Sequence, residues 1–225
     1  MISTLLFDLD GTLIHSAPGI LAAFRKVLVE ARVEPVDAID ERVIGPPLMA
    51  TLARLTGIGP GTTLDSLAAA FKATYDTVGV LHADPYPGCV DMLDRLMIAR
   101  RRSYIVTNKR RVPAVAIAQR LGLRSRLSGV YSLDTLTPPA PRKRDVVAHV
   151  LAEHQVPRGT AVMIGDSGDD ADAAAANGLP FIAVTYGYGN PLGDPAVRPA
   201  AVLNRLADLP DLLDRKGTRL NSSHT

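Results

Sequence analysis

Four polar clusters in this 225-residue chain are of types and spacings that could do chemistry. They are Asp8-Leu-Asp10-Gly-Thr12, Thr107-Asn108, Lys143, and Gly165-Asp166-Ser-Gly-Asp169-Asp170. Asp8, Asp10, Asp166 and Asp170 are carboxylates, and carboxylates gathered in one place raise one another's pKa unless a cation sits among them. An all-oxygen ligand set without His or Cys favours a hard cation, with Mg²⁺ the default. Thr107 and Asn108 add hydrogen-bond donors and Lys143 adds a positive charge. Donors, cation and metal together describe a cradle for phosphate. A carboxylate beside such a metal can itself attack phosphorus and form an aspartyl-phosphate. Asp8 and Asp10 are separated by one residue, and Gly11 permits the turn that lets both reach one site. Asp10 can then act as general acid toward a leaving oxygen and later as general base toward water.

These clusters must be brought together by the fold. Residues 3–7 are a short, largely apolar run stopped by polar residues, and similar runs recur at 104–106, 129–131, 161–164 and 181–184. Such runs read as buried parallel strands. Helical spacing of apolar residues appears at 89–98, 112–121 and 144–151, and a last helix is expected over about 203–214. Strands alternating with helices predict an α/β fold with a Rossmann-like parallel sheet covered on both faces. In such sheets ligands bind beyond the carboxyl ends of the strands, where all four clusters fall. The stretch 17–83 departs from this alternation and reads as helices alone, at about 18–31, 46–56 and 64–78. An inserted helical cap over 16–83 is therefore expected, on a core formed by 1–15 and 84–215. The joints would lie near Ile14-His15-Ser16 and Asp84-Pro-Tyr-Pro-Gly88. Residues 216–225 read as a disordered or non-native tail.

Composition sets bounds but points to no chemistry. Lys+Arg minus Asp+Glu is 25 − 23 = +2, which gives no electrostatic case for nucleic acid or an anionic membrane as partner. Hydrophobic residues at 47% and charged residues at 21% exclude a wholly disordered chain. Cys89 is the single cysteine and cannot form an internal disulfide. With no signal-peptide pattern at the N-terminus, a cytoplasmic location is expected. Oligomeric state is not readable.

Some residues have blander readings. Lys109-Arg110-Arg111 reads first as a solvated basic run, close enough to the site that attracting anionic substrates is the alternative. Asp169 reads as a solvated acid at a helix start, His15 as a solvent-facing hinge residue, and Tyr186-Gly-Tyr-Gly189 as a loop after a strand. Lys143 is preferred over Arg142 because it lies three, four and seven residues before Val146, Val147 and Val150, on the inward helical face.

The ordered set Asp-Leu-Asp-Gly-Thr, Thr-Asn, a basic residue opening a helix, and Gly-Asp-x-x-x-Asp resembles the haloacid-dehalogenase-like phosphohydrolases. The likeness extends to phosphoglycolate-phosphatase-type members through Gly45-Pro-Pro-Leu48, Tyr86-Pro-Gly88 and Val184-Thr-Tyr-Gly-Tyr-Gly189. It implies a Mg²⁺-dependent phosphatase acting on a small phosphorylated metabolite resembling phosphoglycolate. Asp8 would be nucleophile and metal ligand, and Asp10 the acid/base with its backbone carbonyl on the metal. Thr107 and Asn108 would hold phosphoryl oxygens, and Lys143 would neutralise the aspartyl-phosphate. Asp166 and Asp170 would complete the metal site. A sugar phosphomutase and a non-catalytic Mg²⁺-binding regulatory protein are the alternatives.

Overall fold

The structure is a computed structural model that describes residues 1–216. In chain order it contains β1 (Thr4–Phe7), β2 (Ile14–His15), α1 (Ala17–Ala31), α2 (Leu48–Thr56), α3 (Thr62–Thr77), β3 (Asp84–Pro85), α4 (Cys89–Ile98), β4 (Arg102–Thr107), α5 (Arg111–Arg120) and β5 (Gly129–Ser132). There follow α6 (Lys143–Glu153), β6 (Ala161–Gly165), α7 (Gly168–Ala176), β7 (Phe181–Val184), β8 (Ala201–Leu203) and α8 (Leu209–Lys216). Six strands form one parallel sheet in the order β5-β4-β1-β6-β7-β8. β1 is central, and the chain builds outward from it in both directions. A crevice therefore opens at its carboxyl end, between β4 and β6, where the strand order reverses.

The strands are buried on both faces, which explains their near-continuous apolar character. Successive side chains alternate between two cores. Leu5 and Phe7 of β1, with Val162 and Ile164 of β6, pack toward Met92 and Leu96 of α4 and Ile117 of α5. Leu6 and Met163 face the other way, onto Val146, Val147 and Val150 of α6 and Ala173 and Ala174 of α7. Each fully buried aliphatic side chain of this kind contributes about 1.5–3 kcal/mol.

Between β2 and β3 the chain forms only helices and short 3₁₀ turns. β2 and β3 pair antiparallel, Ile14 opposite Pro85 and His15 opposite Asp84, so the segment leaves and rejoins the core through one narrow ribbon. α1, α2 and α3 pack through Phe24, Val27, Leu52, Leu55 and Phe71. The Phe24 and Phe71 rings lie 4.3 Å apart.

The expected helix over 203–214 is corrected. Residues 201–203 add an edge strand to β7, and the helix begins only at Leu209, with Pro210 in its first turn where no amide donor is needed. Three apolar residues are too few to distinguish strand from helix by periodicity. Of the expected tail, Lys216 closes α8 and residues 217–225 lie outside the described residues. No described helix is long and apolar enough to cross a membrane.

Gly19 in α1 packs directly against the backbone at Gly79: a Cβ there would meet the Gly79 carbonyl oxygen at 2.1 Å. An exposed Gly→Ala change in a helix stabilises by about 0.5–1 kcal/mol. Here the overlap is with backbone, which cannot rotate away. Gly19→Ala is expected to destabilise by about 1–3 kcal/mol, read as a lower urea midpoint. An unchanged or higher midpoint would contradict this packing.

Candidate active site

The four clusters meet at the carboxyl edge of the sheet. Asp8 and Asp10 follow β1, Thr107 ends β4, Asp166 follows β6, and Lys143 and Asp170 stand in the first turns of α6 and α7. Asp8, Asp166 and Asp170 are buried, and each offers an oxygen within 4.8 Å of the others, close enough to share one cation. Gly11 makes this approach possible. Its φ is +83°, and a Cβ there would lie 2.4 Å from Asp166 Oδ2.

Each carboxylate is held differently. Asp166 Oδ2 accepts hydrogen bonds from the amides of Tyr188 (2.8 Å) and Gly189 (3.0 Å), and its Oδ1 from Thr12 Oγ1 (3.1 Å). Asp170 Oδ1 accepts from Lys143 Nζ at 2.7 Å, and its Oδ2 from the Ser167 amide and hydroxyl. Ser167 Oγ also bonds back to the Asp170 amide, a capping box that fixes Asp170 as it starts α7. Asp8 differs. Lys143 Nζ stands 3.1 Å from its Oδ1, near enough for charge attraction but out of hydrogen-bond alignment. That buried oxygen has no hydrogen-bond donor among the described residues.

The electrostatics follow from this crowding. Burial raises the Asp8 carboxyl well above the usual carboxylate range. Lys143 pulls it down, while Asp170, Asp166 and Asp10 push it further up. Asp166 is raised by burial and by Asp170, against the pull of the Gly189 amide, Lys143 and the Tyr188 amide. Burial works to discharge Lys143, but Asp170 and Asp8 outweigh it and hold the ammonium above its ordinary range.

The Asp10 carboxylate lies apart from the other three. Lys109 Nζ reaches both its oxygens, at 2.9 and 3.1 Å, and Ser16 Oγ donates to Oδ1. Lys109 therefore belongs to the site and is not solvated: its side chain is 7% exposed. Thr107 is buried, and its hydroxyl accepts from the Lys109 amide at 3.1 Å. Asn108 Nδ2 donates to Gly45 O at 3.0 Å and to Asp169 Oδ2 at 2.6 Å. Asp169 is exposed in the first turn of α7, as the sequence suggests, and also reaches Asn108. The Asn108 side-chain amide is thereby engaged by two acceptors.

Sequence reading placed Tyr186–Gly189 in a loop after a strand but missed its part in the site. The Tyr188 and Gly189 amides orient Asp166. The Tyr188 hydroxyl accepts from the Ser16 and Ala17 amides at the start of α1, and the Tyr186 hydroxyl donates to Thr12 O. The available signal was its position at the carboxyl end of a strand. His15 lies between the rings of Tyr86 and Tyr188, at 6.0 and 5.9 Å.

A family model for haloacid dehalogenase-like hydrolases matches residues 5–184. The chain belongs to this family. Over 220 residues it is 34% identical to a phosphoglycolate phosphatase of Rhodospirillum rubrum, covering 94% of this chain and 88% of that protein. It is also 32% identical over 186 residues to the tyrosine-protein kinase PtkA of Mycobacterium tuberculosis, covering 82% of this chain and 62% of that one. The fold superposes on a solved haloacid dehalogenase-like family hydrolase from Streptococcus pneumoniae with a TM-score of 0.83. The two are 28% identical, over 94% of this chain and 98% of the other.

A carboxylate whose pKa rises on folding costs stability as pH climbs from its unfolded value, near about 4, through its folded value. The penalty from Asp8 is thus fully present in the metal-free protein at high pH. Asp8→Asn removes that charge. It is expected to raise Tm in chelator by a few degrees at about pH 8, with the gain shrinking toward about pH 4. A lower Tm for the variant at high pH would mean that the pairing with Lys143 outweighs burial.

Proposed function

We propose that this protein is a Mg²⁺-dependent phosphatase that hydrolyses a small phosphomonoester through an aspartyl-phosphate on Asp8. The observation that carries this reading is the buried Asp8 carboxylate, which is charge-attracted by Lys143 at 3.1 Å while its Oδ1 accepts no hydrogen bond from the described residues. A buried carboxylate held for structure alone would have its lone pairs satisfied by hydrogen bonds. One tied only by charge to a lysine keeps lone pairs for attack on phosphorus.

The three clustered carboxylates fit a hard cation, since they are all-oxygen, buried and mutually repelling. Asp8, Asp166 and Asp170 would hold it, with the main-chain carbonyl of Asp10. Mg²⁺ there supplies charge neutralisation between the incoming phosphate and the nucleophile, whose negative charges otherwise repel.

The remaining chemistry belongs to side chains of this chain. Thr107 and Asn108 receive phosphoryl oxygens. An Asp8 oxygen attacks phosphorus, and the bond from phosphorus to the ester oxygen breaks. Asp10 gives that oxygen its proton, so the leaving group departs as a neutral alcohol. Asp10 then takes a proton from water, whose oxygen attacks phosphorus. The phosphorus–Asp8 bond breaks, inorganic phosphate is released and Asp8 is restored. Lys143 neutralises charge on the acylphosphate oxygens throughout. The helical segment over 16–83 serves as a cap that excludes water and shapes the leaving-group side.

Purified protein with Mg²⁺ is expected to release phosphate from a panel of phosphomonoesters that includes 2-phosphoglycolate. Chelator should abolish release, and Asp8→Asn should lower kcat by about 10³-fold or more. Full turnover by Asp8→Asn would overturn the mechanism. Consumption of substrate without phosphate release would instead point to transfer onto an acceptor other than water.

A further inference from the structure

One continuous cavity of about 270 Å³ begins at Asp8, Asp10, Thr107 and Asn108 and extends up against the helical segment. Its far wall is almost entirely hydrocarbon. Phe24, Val43, Leu48, Met49, Phe71 and Tyr75 line it, contributed by α1, the turn before α2, α2 itself and α3. Phe24, Phe71 and Tyr75 stack in a row, with ring centroids 4.3 and 5.6 Å apart, and so present a rigid aromatic face. The Tyr75 hydroxyl is buried and without a hydrogen-bond partner among the described residues.

The charged groups in the lining are largely committed elsewhere. Lys109 is held by both oxygens of Asp10 and lies 4.5 Å from the Tyr75 ring centroid. Arg110 donates from two nitrogens to both oxygens of Asp76. Lys72, the third cation of the lining, is exposed on α3, so its charge is solvated. Asp134 adds a further carboxylate. A second anion on the leaving group would have to leave water for hydrocarbon and find no uncommitted buried cation, which is costly.

We propose that the site takes phosphomonoesters whose leaving group is a neutral apolar body of about benzyl size, and selects against leaving groups that carry a second anion. Volume agrees: a dry cavity of about 150 Å³ admits a benzene-sized body, which leaves room here for the phosphoryl group as well. An apolar chamber with a few convergent polar groups at one end is also the usual construction of a small-molecule site. The phosphoryl end fixes orientation and the aromatic face supplies selectivity. This assignment rests on the proposed phosphatase reading for the phosphoryl end alone. The preference of the apolar end can be measured without turnover.

The test uses two inert phosphonates with the same two-carbon spacing, 2-phenylethylphosphonate and 3-phosphonopropionate, titrated calorimetrically into the wild-type protein with Mg²⁺. The phenyl compound is expected to bind about tenfold more tightly or better. In turnover, benzyl phosphate should exceed 2-phosphoglycolate in kcat/KM, both esters being those of primary alcohols. Equal or tighter binding of 3-phosphonopropionate, or no binding of either compound, overturns the assignment. Preferred binding of the phenyl compound without phosphate release from any ester would support the apolar pocket and sink the hydrolytic reading instead.

Discussion

Three buried carboxylates within ligand distance of one another repel, and among the described residues a single ammonium, Lys143, stands between two of them. Much of the molecule is arranged around that imbalance. The parallel sheet places Asp8 and Asp166 at the ends of adjacent strands, so their separation is set by strand spacing and not by side-chain choice. The loop after β7 spends two backbone amides on Asp166. The start of α7 spends a capping box on Asp170. Asp8 receives no such help. The fold satisfies its neighbours and leaves Asp8, the proposed nucleophile, electrostatically strained, an arrangement that a cation would relieve.

The second constraint is the division between two ends of one cavity. Its floor is made of polar residues delivered by strand ends, where backbone geometry is least free to drift. Its roof is made of apolar residues delivered by α1, α2 and α3, joined to the core through the β2–β3 ribbon. The loop after β4 touches both ends. Asn108 bonds to Gly45 O, Lys109 lies under Tyr75 and Arg110 pairs with Asp76. Chemistry common to a hydrolase family can thus stay on the sheet while the helical roof changes its taste in leaving groups.

The sheet was legible because its strands are buried on both faces and read as apolar runs, and the site because four chemically coherent clusters fell at strand ends or at the starts of the helices that follow. What escaped had physical reasons. β8 is three residues long, too short for a period to register. The amides of Tyr188 and Gly189 are backbone donors and leave no mark in side-chain identity. Lys109 follows Asn108 directly, yet whether it points to solvent or to Asp10 depends on the turn before α5, which a basic run does not encode. Asp169 resembles any helix-start acid until Asn108 is placed against it.

The central claim is that Asp8 carries the phosphoryl group. Rapid acid quench during turnover with Mg²⁺, followed by peptide mass spectrometry, tests it directly. The account predicts a transient phosphoryl adduct on the peptide containing Asp8, located on that residue and absent in Asp8→Asn. Phosphate release at full rate with no adduct on Asp8 at any quench time would contradict it.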